Sequence, residues 1–320
     1  MIDLGVGLWT MRSTARRPAA HPFLYRRLQE DAKLAEALGF HSLWLAEHHF
    51  SYDGWCPAVL TAAAAVLGAT KRLQVGTGIQ LLPLWDVASE RSAADTLARI
   101  AGSRLLLGVG LGYRDAEYGG FGVNRRRRGR EMDAILDQLL NGWSVPPGGP
   151  PMLIGGFSEA ALRRAGKRGL GIFLPFSMDR TQLRTTIECY RAELSAAGQT
   201  AGRVAMLKYV WLTDGAASSR DQARRTITES AREYTGTWFP LRGRIGFDAP
   251  DLLEQQLRRA ADHALIGSAA DIADELGALV SAGVDLVVLM VTRDDTGVDH
   301  RRQMGMIGEQ VLPRVASLCA

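Results

Sequence analysis

Eight short apolar segments, each followed by a longer stretch of helical periodicity, predict a parallel (β/α)8 barrel, the TIM-barrel architecture of the α/β class. Two further observations agree. A chain of 320 residues suits one barrel with insertions, so 1–320 is read as a single domain. Glycines at 39, 169, 198 and 283 stand where helical stretches end and the chain turns back toward a strand. Eight alternations favour a closed barrel over a doubly wound sheet.

In chain order, the strands are expected at 4–8, 42–46, 73–80, 104–109, 152–155, 171–174, 204–212 and 286–291, all rich in Val, Leu and Ile. The helices fall between them at 22–38, 57–69, 87–100, 126–141, 159–167, 180–196, 219–234 and 272–282. A last helix at 300–317 ends the pattern. The alternation is interrupted near 235–265, where Gly236, Pro240, Gly243, Gly246 and Pro250 punctuate a stretch holding Trp238, Phe239 and Phe247. A segment of that length is read as an insertion at one end of the barrel, either a lid or packed irregular structure.

Composition narrows the function classes. The net charge is +4, and the basic excess is Arg spread along the chain, with Lys only at 33, 71, 167 and 208. That distribution leaves no nucleic-acid footprint. Arginines 125–128 and Arg130 open a helix whose apolar residues are Met132, Ile135, Leu136 and Leu139, so they are expected to face solvent. No aromatic platform is interleaved with them. No run approaches the roughly 18 apolar residues of a membrane span, and the first residues lack a basic signal-peptide region. Cys56, Cys189 and Cys319, odd in number and far apart, suit a reducing compartment; a cytoplasmic location is expected.

The chemistry-bearing residues cluster at strand ends. The apolar strand at 42–46 runs directly into Glu47-His48-His49, and catalytic side chains of a parallel barrel come from the carboxyl ends of its strands. Histidine there can move protons near neutral pH. Strand alternation turns His48 and His49 to opposite sides, leaving Glu47 to orient a histidine. The same divergence argues against a metal held by Glu47, His48 and His49 together. No H-E-x-x-H or spaced cysteine pair appears, and Asp294 and Asp295 read as loop, so no metal site is expected. Gly108-x-Gly110-x-Gly112 fails a dinucleotide fingerprint, because its third glycine comes one residue early and no helix follows at once. It is read instead as a turn allowing close approach. Gly155-Gly156-Phe157-Ser158 leads into a helix, with Ser158 as N-cap and the helix N-terminus available to an anion.

Together, 38–44 with Glu47-His48-His49-Phe50, 75–83, 104–113, Glu117-Tyr118, 121–123, 154–158, Gly267-Ser268 and 283–285 resemble the bacterial luciferase-like monooxygenase family in order and spacing. The resemblance implies a flavin-type barrel with reduced FMN, or in one branch a deazaflavin coenzyme, at the carboxyl ends of the strands. His48 matches the family's histidine beside the flavin. Gly78-Ile79 matches a position where relatives carry a non-proline cis peptide behind the ring. Gly110, Leu111 and Gly112 fall where the chain approaches the cofactor. FMN-using members can place an Arg at the position of Leu111, with Arg114 near enough in sequence to substitute. Gly155, Gly156, Phe157 and Ser158 match the turn that holds the phosphate. The implied function is a monooxygenase that receives FMNH2 from a separate flavin reductase and uses O2 on a small organic substrate. A deazaflavin-dependent hydride-transfer oxidoreductase and a non-catalytic flavin-binding protein are the alternatives, and a homodimer is expected. Trp9, Trp55, Trp85 and the 236–247 segment are candidate walls for an apolar or aromatic molecule.

Overall fold

The computed structural model describes residues 2–14, 18–51, 53–142, 149–200, 202–238, 250–291 and 300–317. Buried apolar runs become the strands β1 (Asp3–Trp9), β2 (Ser42–Leu45), β3 (Gln74–Thr77), β4 (Gln80–Leu81), β5 (Leu105–Gly110), β6 (Met152–Gly155), β7 (Gly171–Leu174), β8 (Val204–Leu212), β9 (Leu265–Gly267) and β10 (Leu286–Val291). Every strand pair is parallel, and the order β10-β1-β2-β3-β5-β6-β7-β8 closes because β8 also pairs with β10. The expected (β/α)8 barrel is therefore the observed fold.

Surrounding it are α1 (His21–Leu38), α2 (Val59–Ala69), α3 (Val87–Ala101), α4 (Asp115–Gly120), α5 (Arg128–Leu140), α6 (Glu159–Lys167), α7 (Arg180–Ala196), α8 (Ala217–Trp238), α9 (Pro250–Asp262), α10 (Ala269–Ala282), α11 (His300–Gln310) and α12 (Leu312–Ser317). Their ends follow local chemistry. Asp86, Ser158, Asp179 and Ser268 accept N-cap hydrogen bonds, and Gly39 and Gly283 close helices with left-handed backbone.

Strand alternation divides the core into two layers. Trp44, Leu106, Leu153, Phe173, Ala205, Leu286 and Val288 fill the barrel, while Leu43 and Leu45 turn outward to the main layer between strands and helices. Each fully buried Leu contributes roughly 1.5–3 kcal/mol. Trp44 stacks on Phe173 with centroids 4.9 Å apart. Gly76 is glycine because a Cβ there would come within 2.4 Å of the Trp44 ring.

Four expectations are corrected. The single strand at 73–80 is interrupted at Gly78–Ile79, so β3 and β4 each pair separately with β5. The insertion near 235–265 contains α9 and β9 rather than only loop. Leu257, Ala260 and Ala261 of α9 pack on Ala223, Ile227 and Ala231 of α8, and β9 pairs with the end of β8. Phe239, Pro240, Gly243, Gly246 and Phe247 lie outside the described residues, as do Asp294, Asp295 and Cys319. The final helix at 300–317 is two helices, with Pro313 early in the second. Arg125 and Arg128 are half-buried, not solvated: Arg125 pairs with Asp115 at 2.8 Å, and Arg128 donates to the Arg125 carbonyl.

Candidate active site

Beyond β2 the chain runs on beside the end of β1, with the Ala46 N–H on the Trp9 carbonyl and the Cys56 N–H on the Thr10 carbonyl. This extended path carries Glu47, His48 and His49 into the carboxyl end of the barrel, all three buried. The alternation expected from sequence holds. His48 meets Trp55 edge-on at 4.5 Å, with Tyr113 at 5.8 Å and Tyr234 at 6.5 Å. His49 meets Phe121 at 4.8 Å and Trp85 at 5.8 Å.

Each histidine has its own carboxylate. His48 Nδ1 lies 2.9 Å from Glu117 Oε1 on α4. That oxygen also accepts the His49 N–H at 3.0 Å and Arg114 Nη1 at 3.1 Å, while Glu117 Oε2 is buried with no hydrogen-bond partner among the described residues. Burial lowers the His48 pKa, outweighing the Glu117 hydrogen bond that works to raise it. Burial works to raise the Glu117 carboxyl, but His48, the His49 N–H and Arg114 hold it below the usual range. The result is a neutral imidazole against an ionised carboxylate, which places the ring proton on Nδ1 and makes Nε2 the proton-accepting nitrogen.

Glu47 orients His49, not His48: its Oε1 is 2.6 Å from His49 Nε2 and accepts Trp85 Nε1 at 2.9 Å. Glu47 Oε2 takes the Leu81 N–H at 3.2 Å. Arg114 is 2% exposed and donates to the His49 carbonyl and Glu117, so it is neither a surface residue nor available to a phosphate. Glu117 carried no role in the sequence reading. Its signal was slight, a carboxylate three residues after Arg114 on a six-residue helix.

The remaining predicted positions gather at the ends of β3–β6. Gly78–Ile79 is a cis peptide, as is Gly7–Leu8. Ile79 fills the space left by Gly110 and Gly155, where a Cβ would approach its Cδ1 to 2.0 and 2.9 Å. Packing therefore gives a reason for both glycines. Leu111 is half-buried with its carbonyl held by the Tyr118 hydroxyl, and Gly112 has φ +69°. Gly156, at φ +134°, turns the chain into α6, where Ser158 Oγ accepts the Ala161 N–H at 3.3 Å. Phe157 is 49% exposed at this corner, high for a Phe. Leu8 packs against both the Trp44–Phe173 cluster inside the barrel and the Ala46–Trp55 cluster beside His48. These residues fit a flavin-type group: Leu8 and Ile79 offer apolar surface to a ring, and the N–H groups of Glu159 and Ala160 at the start of α6, ahead of the Ala161 N–H that Ser158 accepts, suit a phosphate. Among the described residues no group of three His, Cys, Asp or Glu could hold a metal, and no helix is long and apolar enough to cross a membrane.

Comparison with known proteins agrees with this geometry. The family described as luciferase-like monooxygenase matches residues 5–286. An alkanal monooxygenase alpha chain from the Kryptophanaron alfredi symbiont is 26% identical over 237 residues, covering 67% of this chain and 64% of its own length. The chain thus matches under two thirds of that relative. Among solved structures, the oxygenating constituent of 3,6-diketocamphane monooxygenase of Pseudomonas putida, in complex with FMN, aligns with TM-score 0.77 at 18% identity over 98% of this chain and 99% of that one. An F420-dependent secondary alcohol dehydrogenase aligns with TM-score 0.72 at 18% identity over 98% and 99%. With the family's pattern matched from the first strand to the last, the chain belongs to the luciferase-like monooxygenases.

Proposed function

We propose that the chain is the oxygenating component of a two-component flavin monooxygenase, taking FMNH2 from a separate reductase and using O2 to oxygenate a small organic substrate. The observation that carries the reading is His48, a buried neutral imidazole fixed through Nδ1 by Glu117 and ringed by Trp55, Tyr113 and Tyr234. Reduced FMN, when bound, supplies the electrons for oxygen activation. His48 Nε2 then accepts or returns a proton at the reacting centre, and Glu117 steadies the imidazolium that forms. Trp55, Tyr113 and Tyr234, packed around the imidazole, limit water at the ring. Gly78 and Ile79 back the ring, and Gly155, Gly156, Phe157 and Ser158 hold the phosphate end. Glu47 acts one step away, by fixing His49.

One observation favours a second reading. Leu111 stands where FMN-using members can place an Arg, and Arg114 is committed elsewhere, which supports a deazaflavin coenzyme and hydride transfer with His48 as acid and base. A non-catalytic flavin binder is the third. The working form is proposed to be a cytoplasmic homodimer, which sedimentation at several concentrations tests. Anaerobic titration of the apo-protein with FMNH2, oxidised FMN and the deazaflavin coenzyme separates the readings. Tight FMNH2 with weak deazaflavin supports oxygenation, and the reverse supports hydride transfer. Flavin binding without turnover leaves a binder, and no binding overturns all three.

A further inference from the structure

One guanidinium joins three of the segments that frame His48. The loop after β1 lies against the stretch after β2: the Thr10 carbonyl accepts the Cys56 N–H at 3.0 Å, and the Ser13 N–H reaches the Asp53 carbonyl at 2.8 Å. Between those two bonds Met11 is buried with left-handed backbone, φ +58°, which a residue other than glycine adopts only at a cost. The chain turns there, and the Arg12 side chain crosses to the neighbouring stretch.

Arg12 meets three partners at once. Its Nε and Nη2 both lie 2.6 Å from Asp53 Oδ2. Its Nη1 donates to the Glu233 carbonyl in α8 at 3.3 Å. Its Cζ sits over the Trp55 ring, 4.8 Å from the centroid. The paired side chains of Arg12 and Asp53 are 9% and 0% exposed, so solvent screens them little. Thr14, two residues on, donates to Glu233 Oε1 at 2.7 Å and ties the same loop to the same helix.

Residue type matters in this arrangement. A planar guanidinium pairs with a carboxylate through its edge and covers a ring with its face, while a lysine ammonium has neither edge nor face. The ring that Arg12 covers is the one packed on His48. Trp55 meets His48 edge-on at 4.5 Å and meets Tyr234, the neighbour of Glu233 in α8, at 5.4 Å. Burial is the largest influence on His48, so whatever keeps Trp55 in place keeps the imidazole dry.

We propose that Arg12 is a positioning residue of this site: clamped between Asp53 and α8, it holds Trp55 against His48 and keeps water from the imidazole. Its bearing on the reaction rests on the reading of His48 given above. The brace itself belongs to the chain alone and is tested without flavin or substrate.

Arg12→Lys keeps the charge and loses the fork and the plane, while Glu117, Arg114 and Glu47, the charges that act on His48, stay in place. The His48 Cε1–H signal, followed by NMR in the full chain, is expected to titrate at higher pH in this variant, closer to the ordinary 6.5, because water then reaches the imidazolium. Trp55→Leu should move the titration the same way. Adding Arg12→Lys to Trp55→Leu should add little, since two residues acting through one contact are not additive. A residue that only stabilised the fold would lower the unfolding temperature and leave the titration where it was. If Arg12→Lys fails to fold, Arg12→Gln with Asp53→Asn removes both buried charges together and should give the same upward movement. An unchanged or lowered His48 titration in a folded Arg12 variant overturns the proposal. So does a full further rise when Arg12→Lys is added to Trp55→Leu. Normal turnover in His48→Ala would instead overturn the catalytic reading of His48 and leave the brace standing.

Discussion

Replacing Glu117 by Gln removes one negative charge 2.9 Å from His48 Nδ1 while keeping the side chain's shape. Burial already lowers His48, the Glu117 hydrogen bond is the largest influence opposing it, and the nearby Arg114 charge adds to the lowering. In the variant the Glu117 charge is gone while Arg114 remains, so the pKa falls further, with only the weaker Glu47 charge still opposing. A hydrogen bond to a charged group is worth roughly 1.5–3 kcal/mol. That is the order of the support the imidazolium loses, and the His48 titration moves to lower pH with it. His48 titrates below the ordinary histidine value of 6.5, lower still in the variant, and the acid limb of turnover moves to lower pH with it. At pH 7 the imidazole is neutral in both proteins but is the weaker base in the variant, and turnover falls by roughly three- to tenfold. Carbon-edited NMR of the histidine Cε1–H signals from pH 4 to 8 reads the titration without turnover, with a His48→Gln sample to assign the resonance. Glu117→Asp keeps the charge at longer reach and should move both observables part of the way back. A His48 titration unchanged or raised in Glu117→Gln would refute the reasoning.

Other expectations follow from separate features. His48→Ala should cut turnover by roughly 10²–10⁴ with FMNH2 affinity little altered; normal turnover in a stopped-flow assay would end the assignment. Gly156→Asp should weaken FMN at least about tenfold more than riboflavin, because it adds a negative charge at the proposed phosphate turn. Gly156→Ala, which meets the same φ of +134° and an Ala161 contact of 3.3 Å, should affect both ligands alike. Burial pushes Glu90 up from 4.5 to about 7, against the Gln80 hydrogen bond and with Glu47 adding repulsion. Between those values the folded state keeps a proton that the unfolded state has lost, so stability should decline as pH rises through that window. The interval is on the order of 3 kcal/mol at about 1.36 kcal/mol per pH unit. Glu90→Gln should abolish that slope in urea melts at pH 5 and 8, and an unchanged slope would show that Glu90 is not its source.

The strands were legible because each is an apolar run bounded by helical periodicity, and most predicted boundaries lie within two residues of those observed. Sequence pattern failed where tertiary packing decides. Gly78 and Ile79 sit inside one strand-like run; the resemblance marks a cis peptide there, but the separate pairing of β3 and β4 follows from the fit of Ile79 over Gly110 and Gly155. The glycines and prolines before α9 disguised a helix whose buried face, Leu257, Ala260 and Ala261, exists only against α8. Glu117 is 69 residues from His48, and nothing local marks the pair. Arg114 looked like a substitute phosphate ligand by proximity in sequence, yet burial against the His49 carbonyl commits it elsewhere. His48 and His49 were separable from the start, because a strand's two-residue repeat needs no tertiary information.

Two histidines that are neighbours in sequence thus answer to different carboxylates, His48 to Glu117 on α4 and His49 to Glu47 on the extended stretch that follows β2. In evolutionary terms the site has two adjustments, joined at Glu117, which also holds the His49 N–H. Mutations along α4 can retune how readily a proton moves, while mutations around Glu47, Leu81 and Trp85 reshape the opposite side. A lineage built on this frame could change its chemistry without first giving up its scaffold.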